Sequence, residues 1–157
     1  MDRQAAGRGT EPHEVAVLVR SADELARAEE AAKLASGQHR VVDELPETKR
    51  GVVSLMTMHL AKGLEFRAVP VMACDEEVTP LQGRIASIAG ESDFEEVYST
   101  ERRLLYVTCT RARDELLVTG VAPGSEFLDD LGERGLSETG WGSGGAEVRT
   151  QDAPHGA

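Results

Sequence analysis

The chain has 157 residues, 40% of them hydrophobic and 29% charged, enough for one modest hydrophobic core. Its 28 acidic residues outweigh 17 basic ones for a net charge of −11, which excludes a protein that grips nucleic acid over its whole surface and leaves only a local contact. No apolar run approaches the roughly 20 residues that span a bilayer, and Cys74 and Cys109 fit neither a metal spacing nor a disulfide framework. Both cysteines are expected to be small buried hydrophobes in a reducing cytoplasm.

Residues 1–13 are polar, contain Gly and Pro, and lack the apolar run of a secretory signal; they are expected to be disordered. "VAVLV" (15–19) is a continuous, mostly β-branched run, the pattern of a strand buried on both faces. "SADELARAEEAAKLASGQ" follows as a helix, with Ser21 and Glu24 spaced as a capping box and Gly37 as its stop. "RVV" (40–42) then completes a strand–helix–strand unit. Beyond the polar "DELPETKRG", strands are expected at 52–57 ("VVSLMT") and 68–74 ("AVPVMAC"). Pro70 cannot donate to a ladder, so it points to an edge position or a bulge. Turn signals at Pro80, Gly83 and Gly90 mark a surface excursion. Phe94, Val97, Tyr98, Leu104, Leu105 and Thr108 recur at helical spacing over 93–113, and "ELLVTG" (115–120) reads as the last strand. "SEFLDDL" suits a final helical turn, and from Gly132 the Gly/Ser/acidic tail, 132–157, is expected to be disordered. The pattern is one α/β domain over 14–131 with about five strands and no repeats.

Two segments carry candidate chemistry. In "LMTMHLAKGLEF" (55–66) Lys62 precedes Gly63, the reverse of the order in a phosphate-cradling G-x-x-x-x-G-K-[ST] loop, and no other segment supplies that loop. The turn follows a strand end, where open α/β sheets bind ligands, so Thr57, His59, Lys62 and Glu65 are expected to project into the ligand crevice. A solvated Lys62–Glu65 pair beside a capping Gly63 satisfies the same spacing. In "STERRLLYVTCTRARDELLVT" (99–119), Arg111 and Arg113 sit near a helix carboxyl end, which the helix dipole favours without any function. A rigid guanidinium at a helix-to-strand junction also suits a phosphate. Arg102 and Arg103 have surface partners available in Asp93, Glu95 and Glu96. Periodicity does not separate these readings.

The T-x-H-x-x-K-G-L-E-F string (57–66) resembles motif V of the UvrD/Rep/PcrA-type superfamily-one DNA helicases, and E-R-R-L-x-Y-V-x-x-T-R-A (101–112) resembles their motif VI. "VAVLVRSADELARAEEAAK" is similar to the strand and helix before motif V, so the resemblance covers about 14–120. It implies a RecA-like, P-loop-NTPase-like domain, a mostly parallel sheet flanked by helices, forming part of a second motor domain. In such enzymes this domain closes on ATP and Mg²⁺ held by a first motor domain. The resemblance implies Arg111 as the arginine that reaches the γ-phosphate, and Glu65 beside the nucleotide sugar with Gly63 allowing close approach. It implies His59, with Thr57 on the same turn, facing single-stranded DNA; the partner of the intact enzyme would be single-stranded DNA or a 3′-tailed duplex in repair or recombination. No metal ligand is expected from this chain. The first motor domain's Walker A and B segments and the Q-N-Y-R-S-type opening motif are missing, and the family's E-G is Glu76–Glu77. The chain is therefore expected to be inactive as an ATPase alone, in a cytoplasmic setting without a membrane. The alternative is a docking or regulatory module, or a truncated relic, completing a separately encoded ATPase half.

Overall fold

The structure is a computed structural model that describes residues 9–35, 37–44, 48–132, 137–141 and 146–152. Five strands run parallel: β1 (Ala16–Val19), β2 (His39–Val41), β3 (Val53–Thr57), β4 (Phe66–Val71) and β5 (Ala112–Val121), of which β2 alone, with His39 and Arg40, is mainly polar. Their spatial order is β2-β3-β1-β4-β5. Helix α1 (Leu25–Leu34) covers one face, and α3 (Glu91–Cys109) with α4 (Phe127–Gly132) covers the other. The short helix α2 (Gln82–Ala86) lies in the expected surface excursion.

Side-chain alternation along β1 explains this layering. Ala16 and Leu18 join the core with Leu105 of α3 and Phe127, Leu128 and Leu131 of α4. Val17 and Val19 turn the other way, onto Ala28 of α1 and Leu55 of β3. A strand covered on both faces has no solvent side, so its sequence is continuously apolar. Both cysteines are buried, as expected, and burial pushes the Cys109 thiol up to about 12.

Four local expectations change. The Ser21 side chain makes no cap bond; a 3₁₀ turn (Ala22–Glu24) opens the helix, and Glu24 bonds Arg27 at 2.9 Å instead. Pro70 lies in a central strand, not at an edge, and the register shift falls earlier, between Phe66 and Ala68. Met72, two residues further and so facing the same side, donates to Leu18 O at 2.9 Å. Pro70 thus turns its donorless nitrogen toward β1, where the ladder holds a single residue pair, Leu18 with Val71.

The other two concern the ends. Of the segment expected to be disordered at the start, residues 1–8 lie outside the described residues, and Pro12–Glu14 form a 3₁₀ turn. Past 132 the chain adds β6 (Ser137–Trp141) and β7 (Ala146–Asp152), where disorder was expected. β7 pairs antiparallel with β5 from Glu115–Asp152 to Val121–Ala146, and β6 pairs with β7. A ten-residue β5 would otherwise expose a row of unpaired backbone groups. Composition reports Gly and acid content but not an available sheet edge. Residues 133–136, 142–145 and 153–157 of that tail lie outside the described residues.

Gly120 fixes how closely β5 approaches the loop after β4. A Cβ there would lie 2.6 Å from Cys74 O and 2.8 Å from Cys74 C, both backbone atoms. Gly120→Ala should therefore cost about 1–3 kcal/mol through overpacking, measured by urea denaturation. Gly83→Ala, with nothing within 4 Å of the added Cβ, should not destabilise the fold by the same route.

Candidate functional site

The connection from β3 to β4 is short and contains no α-helix. It is wound from successive i→i+3 bonds: Leu60 N–H to Thr57 O at 3.1 Å, Lys62 N–H to His59 O at 3.4 Å and Leu64 N–H to Ala61 O at 3.0 Å. Met58 and Ala61 anchor it in the core, while His59, Lys62, Gly63 and Glu65 remain exposed. Gly63 adopts φ +80°, and a Cβ there would meet nothing within 4 Å. Within this chain, then, glycine serves the handedness of the turn rather than a close protein contact.

Because β3 and β4 run parallel, this turn travels from the carboxyl end of the sheet to its amino end. Thr57 and His59 lie at the carboxyl end of β3, as expected. Glu65 does not lie there. It immediately precedes β4 at the amino end, next to Arg111, which immediately precedes β5. The Phe66 N–H donates to Arg111 O at 2.9 Å, locking these two strand entrances side by side. The single crevice expected for Thr57, His59, Lys62 and Glu65 is thus divided between two edges, since a turn joining parallel strands must cross the sheet.

Arg111 reaches only neutral acceptors. Its Nε donates to Val107 O at 3.2 Å, Nη1 to Leu64 O at 3.3 Å and Nη2 to Thr110 Oγ1 at 3.2 Å. Among the described residues no carboxylate pairs with it, so its charge is oriented but not neutralised. Among the described residues no group of three His, Cys, Asp or Glu is placed to hold a metal ion.

Sequence reasoning missed the buried polar centre. Arg20, directly after β1 and 4% exposed, meets Glu101 of α3 through Nε–Oε2 at 2.7 Å and Nη2–Oε1 at 2.6 Å. Leu81 N–H donates to Oε2 at 3.1 Å and Arg84 Nη1 to Oε1 at 2.9 Å. An arginine directly after an apolar run was the available signal, but nothing in sequence links positions 81 residues apart. Arg20 Nη1 also approaches His59 Nε2 at 3.5 Å. Arginine can only donate, so a bond to this ring requires an unprotonated Nε2. Burial, then the Arg20 charge, pushes His59 below its ordinary pKa.

Arg102 and Arg103 diverge despite adjacent positions. Arg102 pairs with Asp130 at 2.9 Å and lies over the Tyr98 and Phe127 rings at 5.5 and 5.3 Å. Arg103 lines the same pocket as Arg102 and Asp130, and it also borders a cavity of about 230 Å³ between the 58–62 turn and α3, together with His59, Lys62, Arg84, Leu104 and Arg111.

These features define a RecA-like α/β domain whose two characteristic segments meet where β4 and β5 begin side by side. The chain matches the UvrD-like helicase C-terminal domain over residues 10–122, and it belongs to that family. It is 45% identical over 78 residues to the ATP-dependent DNA helicase PcrA of Staphylococcus aureus, a match covering 50% of this chain and 10% of that protein. It is 43% identical over 77 residues to the ATP-dependent DNA helicase UvrD1 of Mycobacterium tuberculosis, covering 49% of this chain and 9% of that one. These matches thus span about a tenth of either relative. Among solved structures it is similar to the C-terminal domain of a "possible DNA helicase" from Lactobacillus plantarum, with TM-score 0.53 and 27% identity over 73% of this chain and 60% of that one. Among the described residues no helix is long and apolar enough to cross a membrane.

Proposed function

We propose that this chain is the carboxy-terminal motor portion of an ATP-dependent DNA helicase acting in repair or recombination, and that by itself it hydrolyses no ATP. Arg111 is its arginine finger, neutralising charge on the terminal phosphoryl group as that group leaves. Glu65, with Gly63, takes the nucleotide sugar side, while Thr57 and His59 take single-stranded DNA. ATP and Mg²⁺ are shared with a first motor domain that contributes the phosphate cradle and the metal's ligands. The observation that carries this reading is the guanidinium of Arg111, held by three neutral acceptors beside Glu65 at the entrance to β4 and β5.

A chimera tests it. The matching segment of the S. aureus PcrA helicase is replaced by that of this chain, and DNA-stimulated ATP hydrolysis is measured. The chimera should hydrolyse ATP, and the isolated 157-residue chain should not. A folded chimera that binds DNA but never turns over ATP would contradict the reading. So would DNA-stimulated hydrolysis by the isolated chain that Arg111→Ala abolishes.

A further inference from the structure

The paired strand entrance that presents Glu65 and Arg111 is irregular. Phe66 pairs with Ala112 but Ala68 pairs with Glu115, so Arg67 of β4 faces both Arg113 and Asp114 of β5. Two residues opposite one make a β-bulge, which interrupts the ladder locally and re-aims the side chains around it. The interruption begins directly after the hydrogen bond from Phe66 N–H to Arg111 O at 2.9 Å. The donating peptide joins Glu65 to Phe66, and the accepting carbonyl belongs to Arg111. One bond therefore ties the backbones of both residues, at a strand end with a break in the ladder behind it. Such ends open more readily than the middle of a sheet.

A side-chain bridge spans the break. Arg67 Nε donates to Asp114 Oδ2 at 2.8 Å, and Arg67 Nη1 lies 3.6 Å from Glu14 Oε2. Arg113 approaches the other oxygen of Asp114 only to 3.5 Å. Phe66 packs into the core with Leu105 of α3, so Arg67, next along the strand, stands on the opposite face of the sheet. Arg111 is braced on the α3 side, where its Nε donates to Val107 O. The entrance is thus held from both faces. The Arg67 and Asp114 side chains are 23% and 35% exposed, and an ion pair with that access to water adds little to global stability. Its effect is local. We propose that Arg67 and Asp114 are positioning residues, whose bridge pins the bulge and so holds the Arg111 guanidinium and Glu65 in register for a nucleotide. The proposal rests on the reading of Arg111 as an arginine finger and deepens it, since both residues act through Arg111.

Two measurements test it, one of them independent of activity. In the purified 157-residue chain, Asp114→Asn and Arg67→Gln should each speed hydrogen exchange at the Phe66 amide about ten-fold. The Met58 amide, bonded to Val19 O at 2.8 Å at the other end of the sheet, should exchange as before. In the PcrA chimera each substitution should lower kcat roughly ten-fold and leave the KM for ATP unchanged, the pattern of a contact made only in the transition state. Both act through one bridge, so the double variant should be no slower than the slower single. Added to Arg111→Ala, Asp114→Asn should have no further effect on kcat, whereas a general loss of stability would lower it again. Unchanged Phe66 exchange overturns the proposal, as does faster exchange with normal turnover, or a further loss on top of Arg111→Ala. If Arg111→Ala collapses turnover while both bridge variants turn over normally, the arginine-finger reading survives and the positioning role does not. If exchange responds as stated but the chimera is inert, the finger reading fails and the positioning role falls with it, leaving only a structural clamp.

Discussion

Replacing Glu101 by glutamine should destabilise the fold by about 3–5 kcal/mol, the cost of leaving a buried charge without its partner. The carboxylate accepts four hydrogen bonds, from Arg20, Leu81 N–H and Arg84. A glutamine amide presents donors where Arg20 and Arg84 already donate, so half of the arrangement becomes repulsive. Total stabilities of roughly 5–15 kcal/mol leave little reserve against such a loss, so the urea midpoint should fall sharply. Arg20→Met combined with Glu101→Leu should recover part of the loss, because an apolar pair leaves no isolated ion.

The same carboxylate sets an acid limit. Burial raises its pKa, but the Arg20 and Leu81 hydrogen bonds, with the charges around it, overcome burial and hold it below the ordinary 4.5. A depressed carboxylate contributes fully above its unfolded value and loses that contribution as pH falls through its folded value. Stability should therefore fall on acidification below about pH 4.5, and Glu101→Gln should flatten that limb in denaturation measured across pH.

Arg111→Ala, placed in a chimera that hydrolyses ATP, should lower kcat by about 10³–10⁵, the range for removing an arginine finger. Its present acceptors are two carbonyls and a hydroxyl, so its loss leaves no ion stranded. Stability should change little beside Glu101→Gln. Arg111→Lys keeps the charge but loses the planar fork, and should restore only part of the rate. Single-turnover hydrolysis and single-stranded DNA affinity, measured together, separate the effects: hydrolysis should collapse while affinity holds. A parallel fall in both would place Arg111 in DNA contact instead.

Sequence made the strands legible where they are covered on both sides, since "VAVLV" and "VVSLM" leave no polar face. The Thr57–Phe66 and Glu101–Ala112 strings were legible because side-chain identity and order carry the resemblance. Three things were not. β6 and β7 depend on a free edge along β5, a property of the assembled sheet. The Arg20–Glu101 pair joins the end of β1 to the middle of α3, and no local pattern encodes that meeting. The division of the site between two edges follows from β3 and β4 being parallel, which a strand pattern read by itself leaves open.

The wound connection between β3 and β4 has a consequence for how the chain tolerates change in length. Residues 58–65 cross from one edge of the sheet to the other on three i→i+3 bonds and a left-handed Gly63. Most loops accept insertions because their path is slack. This one is a measured spacer. One residue more or fewer would break this set of turn bonds and displace Glu65 relative to His59, with β4 unable to slide because Phe66 is tied to Arg111. Variation among relatives at this point should therefore take the form of substitution, with the count of residues between the threonine and the phenylalanine left unchanged.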